Sequence, residues 1–134
     1  MKTTVLIAGG ASGPICRLAK PISFWGGVDP TTGTIVDPRH PDRGTTIAGT
    51  MLVLDSTIGS SSSSAIVLEL LRHHRAPAAL VLGRVDAILT LGIIVASELG
   101  YTTIPVVRVA ADDLASLPYQ GNLELREDGV LIAT

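Results

Sequence analysis

Cysteine is almost absent from this chain: among its 134 residues only Cys16 carries a thiol. One thiol excludes an intrachain disulfide framework, and it excludes a thiolate cluster for zinc or iron–sulfur built from this chain alone. Aromatic residues are nearly as scarce, with one Phe, one Trp and two Tyr, too few for the stacking platform of a nucleic-acid binder. A formal net charge of -2 supplies no basic field for a phosphate backbone, so nucleic acid is not an expected partner. No segment offers the roughly 20 uninterrupted apolar residues of a membrane span. The run Val5-Leu6-Ile7-Ala8 is also too short for the core of a signal peptide, and a cytoplasmic location is the default expectation.

What the chain does hold is apolar. Hydrophobic residues make up 46% of it and charged residues only 16%, which excludes a disordered chain and leaves less polar surface than a solitary monomer usually shows. A surface waiting for a partner is therefore expected. The length suits one compact domain, residues 1–134, with a real core and no second unit.

Periodicity divides the chain into alternating elements. Residues 5–8 read as a first strand, broken by Gly9-Gly10 and again by Gly13-Pro14, after which residues 15–19 alternate in strand fashion. Met51-Leu52-Val53-Leu54 is a strand, the segment from Ala65 to about His73-His74-Arg75 a helix, and Ala78-Ala79-Leu80-Val81-Leu82 a strand apolar on both faces. The adjacent histidines diverge on a helix and are poorly placed as joint metal ligands. Asp86 has the position of a cap for a helix over 87–99, stopped by Gly100. Its apolar positions nearly encircle it, which predicts heavy burial. Residues 104–109 form a further buried strand, 112–117 a short third helix, and Asp128-Gly129 joins the two arms of a terminal hairpin. Early strands, a β-α-β-α-β centre and a hairpin give a mixed α/β domain with strands outnumbering helices.

Three polar stretches stand out as sites. Ser23-Phe24-Trp25-Gly26-Gly27-Val28-Asp29-Pro30 is a shaped loop rather than a regular element, and it carries the only Phe and Trp. Phe24 and Trp25 either plug one end of the fold or meet a ligand or subunit, with Gly26, Gly27 and Asp29 beside them. Asp37-Pro38-Arg39-His40-Pro41-Asp42-Arg43-Gly44 is a second loop, in which His40 and its two arginines either meet an anion or are merely solvated. Gly59-Ser60-Ser61-Ser62-Ser63-Ser64 lies between a strand and a helix. There, unpaired helix N–H groups, the positive end of the helix dipole and several hydroxyls suit a carboxylate, a phosphate or a serine alkoxide. The plainer reading is that one serine caps the helix and the others form a polar loop.

Taken together, the SFWGGVDP segment with Thr32-Gly33, then His40-Pro41, then Gly59-Ser60 with the serines after it, then Ala76-Pro77-Ala78-Ala79 resembles the small, swivelling subunit of the aconitase X dehydratases, over essentially the whole chain. The resemblance implies a swivelling β/β/α domain, a barrel-like mixed sheet with two or three flanking helices, which closes over a larger catalytic subunit. It implies that the large subunit holds an iron or iron–sulfur centre, with no cofactor and no metal on this chain. It also implies that a serine here accepts a proton from a small carboxylate substrate, either cis-3-hydroxy-L-proline or phosphomevalonate. The low charged fraction leans toward the first. Ser60 matches the family's serine after glycine, with Ser62 as second choice. The wider superfamily follows this turn with an arginine that grips a carboxylate, whereas five serines occupy residues 60–64 here. Gly59 and the backbone N–H groups of Ser61 and Ser62 are then the candidates for that grip.

Two rival functions differ in class. A serine hydrolase is disfavoured, because no G-x-S-x-G elbow is present and the three histidines suggest no triad partner. A non-catalytic module that uses the serine turn to bind a regulatory anion would bind phosphate or a carboxylate without any partner.

Overall fold

A computed structural model describing residues 1–134 shows seven strands in one mixed sheet. In chain order the elements are β1 (Thr4–Ile7), β2 (Ala11–Arg17), β3 (Met51–Leu54), α1 (Ser63–Arg72), β4 (Ala79–Leu82), α2 (Ala87–Glu98), β5 (Val106–Arg108), α3 (Ala111–Ser116), β6 (Asn122–Leu125) and β7 (Leu131–Ala133). Across the sheet the order is β1-β5-β4-β3-β2-β6-β7. The central strands β2, β3, β4 and β5 run parallel, while β1, β6 and β7 pair antiparallel at the flanks.

Strand alternation decides which side chains fill which layer. In β3, Leu52 and Leu54 join Leu80 and Leu82 of β4 in a core under α1 and α2. Met51 and Val53 turn the other way, with Ala79 and Val81, toward Leu114 and Leu117 at α3 and toward Leu123, Leu125 and Leu131 of the terminal hairpin. Both central strands are fully buried, which is why they read as unbroken apolar runs. The sheet also curls until its edges meet. Lys2 bridges Val130, the Leu131 N–H donates to the Met1 carbonyl at 2.9 Å, and the Thr3 hydroxyl donates to the Gly129 carbonyl at 2.7 Å. These bonds give the barrel-like form and occupy backbone groups that an open edge would expose.

Two expectations are corrected. The first strand break does not occur at Gly13-Pro14, because β2 runs through both residues. Up to Pro14 the strand pairs antiparallel with β6, and from Ile15 it pairs in parallel with β3. The Ile15 N–H donates to the Gly121 carbonyl at 2.9 Å, so the Pro14 nitrogen faces the β3 side, just ahead of that pairing, where its missing N–H does least harm. The second correction concerns α2. Only Leu89, Gly92, Ile93 and Ala96 are buried, while Ile88, Leu91, Ile94 and Val95 are exposed. A single stripe faces the core, and the opposite apolar face is left outside. Between β2 and β3 the chain forms only isolated bridges, Val28 to Ile35 and Thr34 to Thr46.

The helices show why the sequence folds as it does locally. In α1 the buried positions are Ser63, Ile66, Val67, Leu70 and Leu71, the spacing of one amphipathic face. Its end is a Schellman turn: the Arg75 N–H reaches the Leu70 carbonyl at 2.9 Å and the His74 N–H reaches that of Leu71 at 3.2 Å, with His74 at φ 56°. The histidine pair thus terminates a helix. Midway along α2, Gly92 lies against α1, where a Cβ would stand 2.6 Å from Val67 Cγ1 and 2.8 Å from the Ser64 carbonyl oxygen. The absent side chain sets the spacing of the two helices. Gly92→Ala should therefore destabilise the fold by about 1–3 kcal/mol through overpacking, read as a lower thermal midpoint. Adding Val67→Ala should recover only part of the loss, since the Ser64 backbone stays in the way.

Candidate functional site

The parallel strands β2, β3 and β4 deliver three loops to the same edge of the sheet, the carboxyl edge at which α/β folds place their ligands. The loop after β2 carries the Phe24–Gly27 segment, that after β3 carries the serines, and that after β4 leads through Asp86 into α2. Two contacts bind them together. Ile22 bridges Thr57, with the Ile58 N–H donating to the Ile22 carbonyl at 3.0 Å. The Thr57 hydroxyl donates to Asp86 Oδ2, and Asp86 Oδ1 accepts the Leu89 N–H at 3.0 Å as the cap of α2. The two sequence motifs, some 30 residues apart, therefore leave one short bridge side by side.

At the serine run a polar turn opens α1 on the surface. Ser60 and Ser62 are half-buried and Gly59 and Ser61 exposed. No serine side chain caps the helix, contrary to the plainer reading of the sequence. Instead the Ser62 N–H donates to Ser60 Oγ at 3.3 Å, and the Ser64 hydroxyl donates to the Ser61 carbonyl at 3.3 Å. The Ser62 N–H is thereby engaged within the turn. The N–H groups of Ser61 and Ser64 find no acceptor in the chain, so the helix start keeps free donors and its positive dipole end. Ser63, 2% exposed, has its Oγ buried without a hydrogen-bond partner, an uncompensated polar group close behind the turn.

The loop after β2 divides its candidates. Trp25 (φ -70°, ψ 115°) and Gly26 (φ 78°, ψ -13°) form a type II turn across Phe24–Gly27. Phe24 is buried and plugs the core against α1, whereas Trp25 is 58% exposed. Gly27 is buried under Ile22. Asp29 is engaged in its own turn, accepting the Thr31 N–H at 2.9 Å and the Thr31 hydroxyl at 2.8 Å. Those two bonds hold its carboxyl below the ordinary aspartate pKa.

His40 is neither solvated nor turned to a ligand. It is 7% exposed, its Nδ1 accepts the Asp42 N–H at 3.1 Å, and its Nε2 donates to the Lys20 carbonyl at 2.9 Å. With both nitrogens engaged, the ring is a staple between the second loop and the segment leading to Ile22. No three His, Cys, Asp or Glu side chains of this chain converge. Cys16 is buried, and burial first, then the Asp42 charge, pushes its thiol pKa up against a weaker Thr50 hydrogen bond, the reverse of what a thiolate ligand needs.

Sequence reasoning had no means of finding the Thr57–Asp86 link, because a hydroxyl and a carboxylate 29 residues apart leave no periodic trace. Asp86→Ala removes both the cap and this link. It should cost about 1–2 kcal/mol in thermal or denaturant unfolding and speed proteolysis between Asp55 and Ser62. Asp86→Asn, which still caps, should keep most of the stability.

Comparison with known proteins follows the same geometry. The chain matches the aconitase X swivel domain over residues 1–133. It is 42% identical over 116 residues to cis-3-hydroxy-L-proline dehydratase of Hypocrea jecorina, a match covering 87% of this chain and 20% of that protein. The chain thus spans about a fifth of that relative's length. It is 32% identical over 124 residues to the phosphomevalonate dehydratase small subunit of Methanothermobacter thermautotrophicus, covering 92% of this chain and 89% of that subunit. The crystal structure of Thermococcus kodakaraensis aconitase X in its holo form superimposes with a TM-score of 0.85 at 30% identity, over 98% of this chain and 95% of the other. That likeness bears out the swivelling, barrel-like α/β fold with flanking helices, and the chain belongs to the aconitase X swivel domain family.

Proposed function

We propose that this chain is the swivelling part of an aconitase X-type dehydratase, active together with a large catalytic subunit, and that Ser60 is its proton acceptor. The observation that carries the proposal is the position of Ser60 Oγ at the open start of α1, where it accepts the Ser62 N–H at 3.3 Å beside the free N–H groups of Ser61 and Ser64. A serine hydroxyl is far too weak a base unaided. The N–H bond and the dipole of α1 favour its alkoxide, and exclusion of water by a closing partner would strengthen both. The alkoxide takes the proton from the carbon next to the substrate carboxylate. The C–H electrons form the double bond, the neighbouring C–O bond breaks with its electron pair going to the departing hydroxyl, and the proton held by Ser60 passes to that hydroxide, giving water and renewing the alkoxide. The Ser61 N–H, with Gly59 allowing close approach and the Ser64 N–H also free beside it, is the group we assign to hold the carboxylate.

An iron or iron–sulfur centre, if the enzyme uses one, belongs on the large subunit by this reading, since the residues here make no site for it. The substrate we favour is cis-3-hydroxy-L-proline, supported by the 42% identity to a dehydratase of that compound. Phosphomevalonate is the alternative, supported by the 32% identity to a phosphomevalonate dehydratase small subunit. The lone unpaired Cys16 suits a reducing compartment, and we place the protein in the cytoplasm on that ground. A regulatory anion-binding role without a partner remains the rival in kind. Tight binding of phosphate or a carboxylate by the purified chain alone would favour it.

Co-expression with the large subunit and assay on both substrates separates these readings. Ser60→Ala should lower turnover by about 10²–10⁴-fold without loss of assembly. Ser62→Ala should change it little, because the backbone N–H of Ser62, and not its hydroxyl, touches Ser60. Full activity in Ser60→Ala would remove the serine from the mechanism, and the reverse pattern would transfer the role to Ser62.

A further inference from the structure

We propose that the apolar strip running from Ile58 and Val85 along the outer face of α2 is the surface on which the large catalytic subunit of the dehydratase seats. The proposal rests on the two-part enzyme argued above and names the face that makes the contact. Ile58 is 55% exposed, Val85 51%, Ile88 39%, Leu91 55%, Val95 41% and Leu99 61%. Ile88, Leu91, Val95 and Leu99 follow at the spacing of one helical stripe, alongside the stripe of Leu89, Gly92, Ile93 and Ala96 that enters the core. From Ala87 through Ser97 the helix carries no charge. A surface helix of a self-sufficient domain has a polar outer face, and a helix apolar all round is one that becomes buried.

The strip is continuous with the serine site. The Thr57–Asp86 hydrogen bond holds the loop bearing Ile58 against the loop bearing Val85, two residues before Ser60. A cleft between α1 and α2 is lined by Ser64, Ala65, Leu68, Leu91, Gly92 and Val95, so it begins at the first turn of α1 and ends among the residues of the strip. Whatever closes over Ser60 therefore meets this apolar surface at the same time.

The occupant follows from the relatives. In the Hypocrea jecorina protein the matching region is a fifth of one longer chain, whereas in Methanothermobacter thermautotrophicus it is nearly the whole of a separate small subunit. A domain held in one case by a covalent connection needs, in the other, an adhesive face to hold it to the same catalytic body. A second copy of this chain suits the strip less well, because a symmetric pair would bring one serine turn toward another with no complementary chemistry between them.

The test uses the full chain and the aconitase X-type large subunit of the same organism. Wild type and Ser60→Ala should bind it equally in titration calorimetry and sediment as one complex. A chain with Leu91→Glu and Val95→Glu, whose side chains are exposed in the free domain, should keep its circular dichroism and lose at least about a hundredfold in affinity. Equal binding by that variant would overturn the strip while leaving the Ser60 mechanism standing. A homodimer of wild type that the variant loses, with affinity for the large subunit unchanged, would also overturn it by giving the face to a second copy. Failure of wild type itself to bind would overturn the two-part enzyme as a whole. Should the double glutamate chain not fold, Leu91→Cys provides the second reading, since buried Cys16 leaves it the one accessible thiol. Maleimide labelling at residue 91 should slow at least about tenfold in the complex, and an unchanged rate would overturn the proposal.

Discussion

Asp86 has two carboxylate oxygens, and each holds a different part of the molecule. One takes the Leu89 N–H and starts α2; the other takes the Thr57 hydroxyl and fixes the loop after β3. Thr57 in turn bridges Ile22, from which the Trp25 turn departs. Remove the carboxylate, and the loop before α2 loses its tie to the two loops that the Ile22–Thr57 bridge joins. A charged acceptor is well suited to this, because its hydrogen bonds are about twice as strong as neutral ones and it also favours the positive end of α2. The serine turn is held from both sides, by this link behind it and by α1 in front.

Such bracing explains how polyserine, a flexible composition in isolation, forms a defined site. Ser60 and Ser62 close a two-residue turn, and α1 supplies order from a face that buries Ile66, Val67, Leu70 and Leu71. The free donors that remain lie at the helix mouth, where burial of any added anion strengthens their pull. Ser63 contributes nothing to this: its hydroxyl is buried and unpaired at a position where Ala would pack as well, and the structure offers no account of it.

Much of the fold was legible because its signals are local. β3 and β4 read as buried runs, Asp86 as a cap, Gly100 as a stop and Asp128-Gly129 as a hairpin turn, and each is so placed. Two failures have a common cause: both judged a segment without its neighbours. Gly13-Pro14 looked like a break, yet β2 exchanges one partner strand for another at that point. The helix over 87–99 looked buried because its composition is apolar, yet the single chain covers only one of its faces. The sites were partly legible for the same reason. A glycine before serines and a helix start are visible in one dimension, but the fate of His40 depends on a carbonyl 20 residues away, and the division between Phe24 and Trp25 depends on a backbone turn that sends adjacent rings in opposite directions.

Gly92 has a further consequence for motion. With no side chain between them, α1 and α2 touch at backbone distance, and the Thr57–Asp86 bond fastens the serine loop to the same pair. Ser60 cannot advance or retreat by itself, since its displacement would drag both helices and the sheet beneath them. Any displacement of the serine loop against a neighbouring body is then the travel of an undeformed domain about a pivot lying elsewhere, with the turn at Ser60 carried along as it stands.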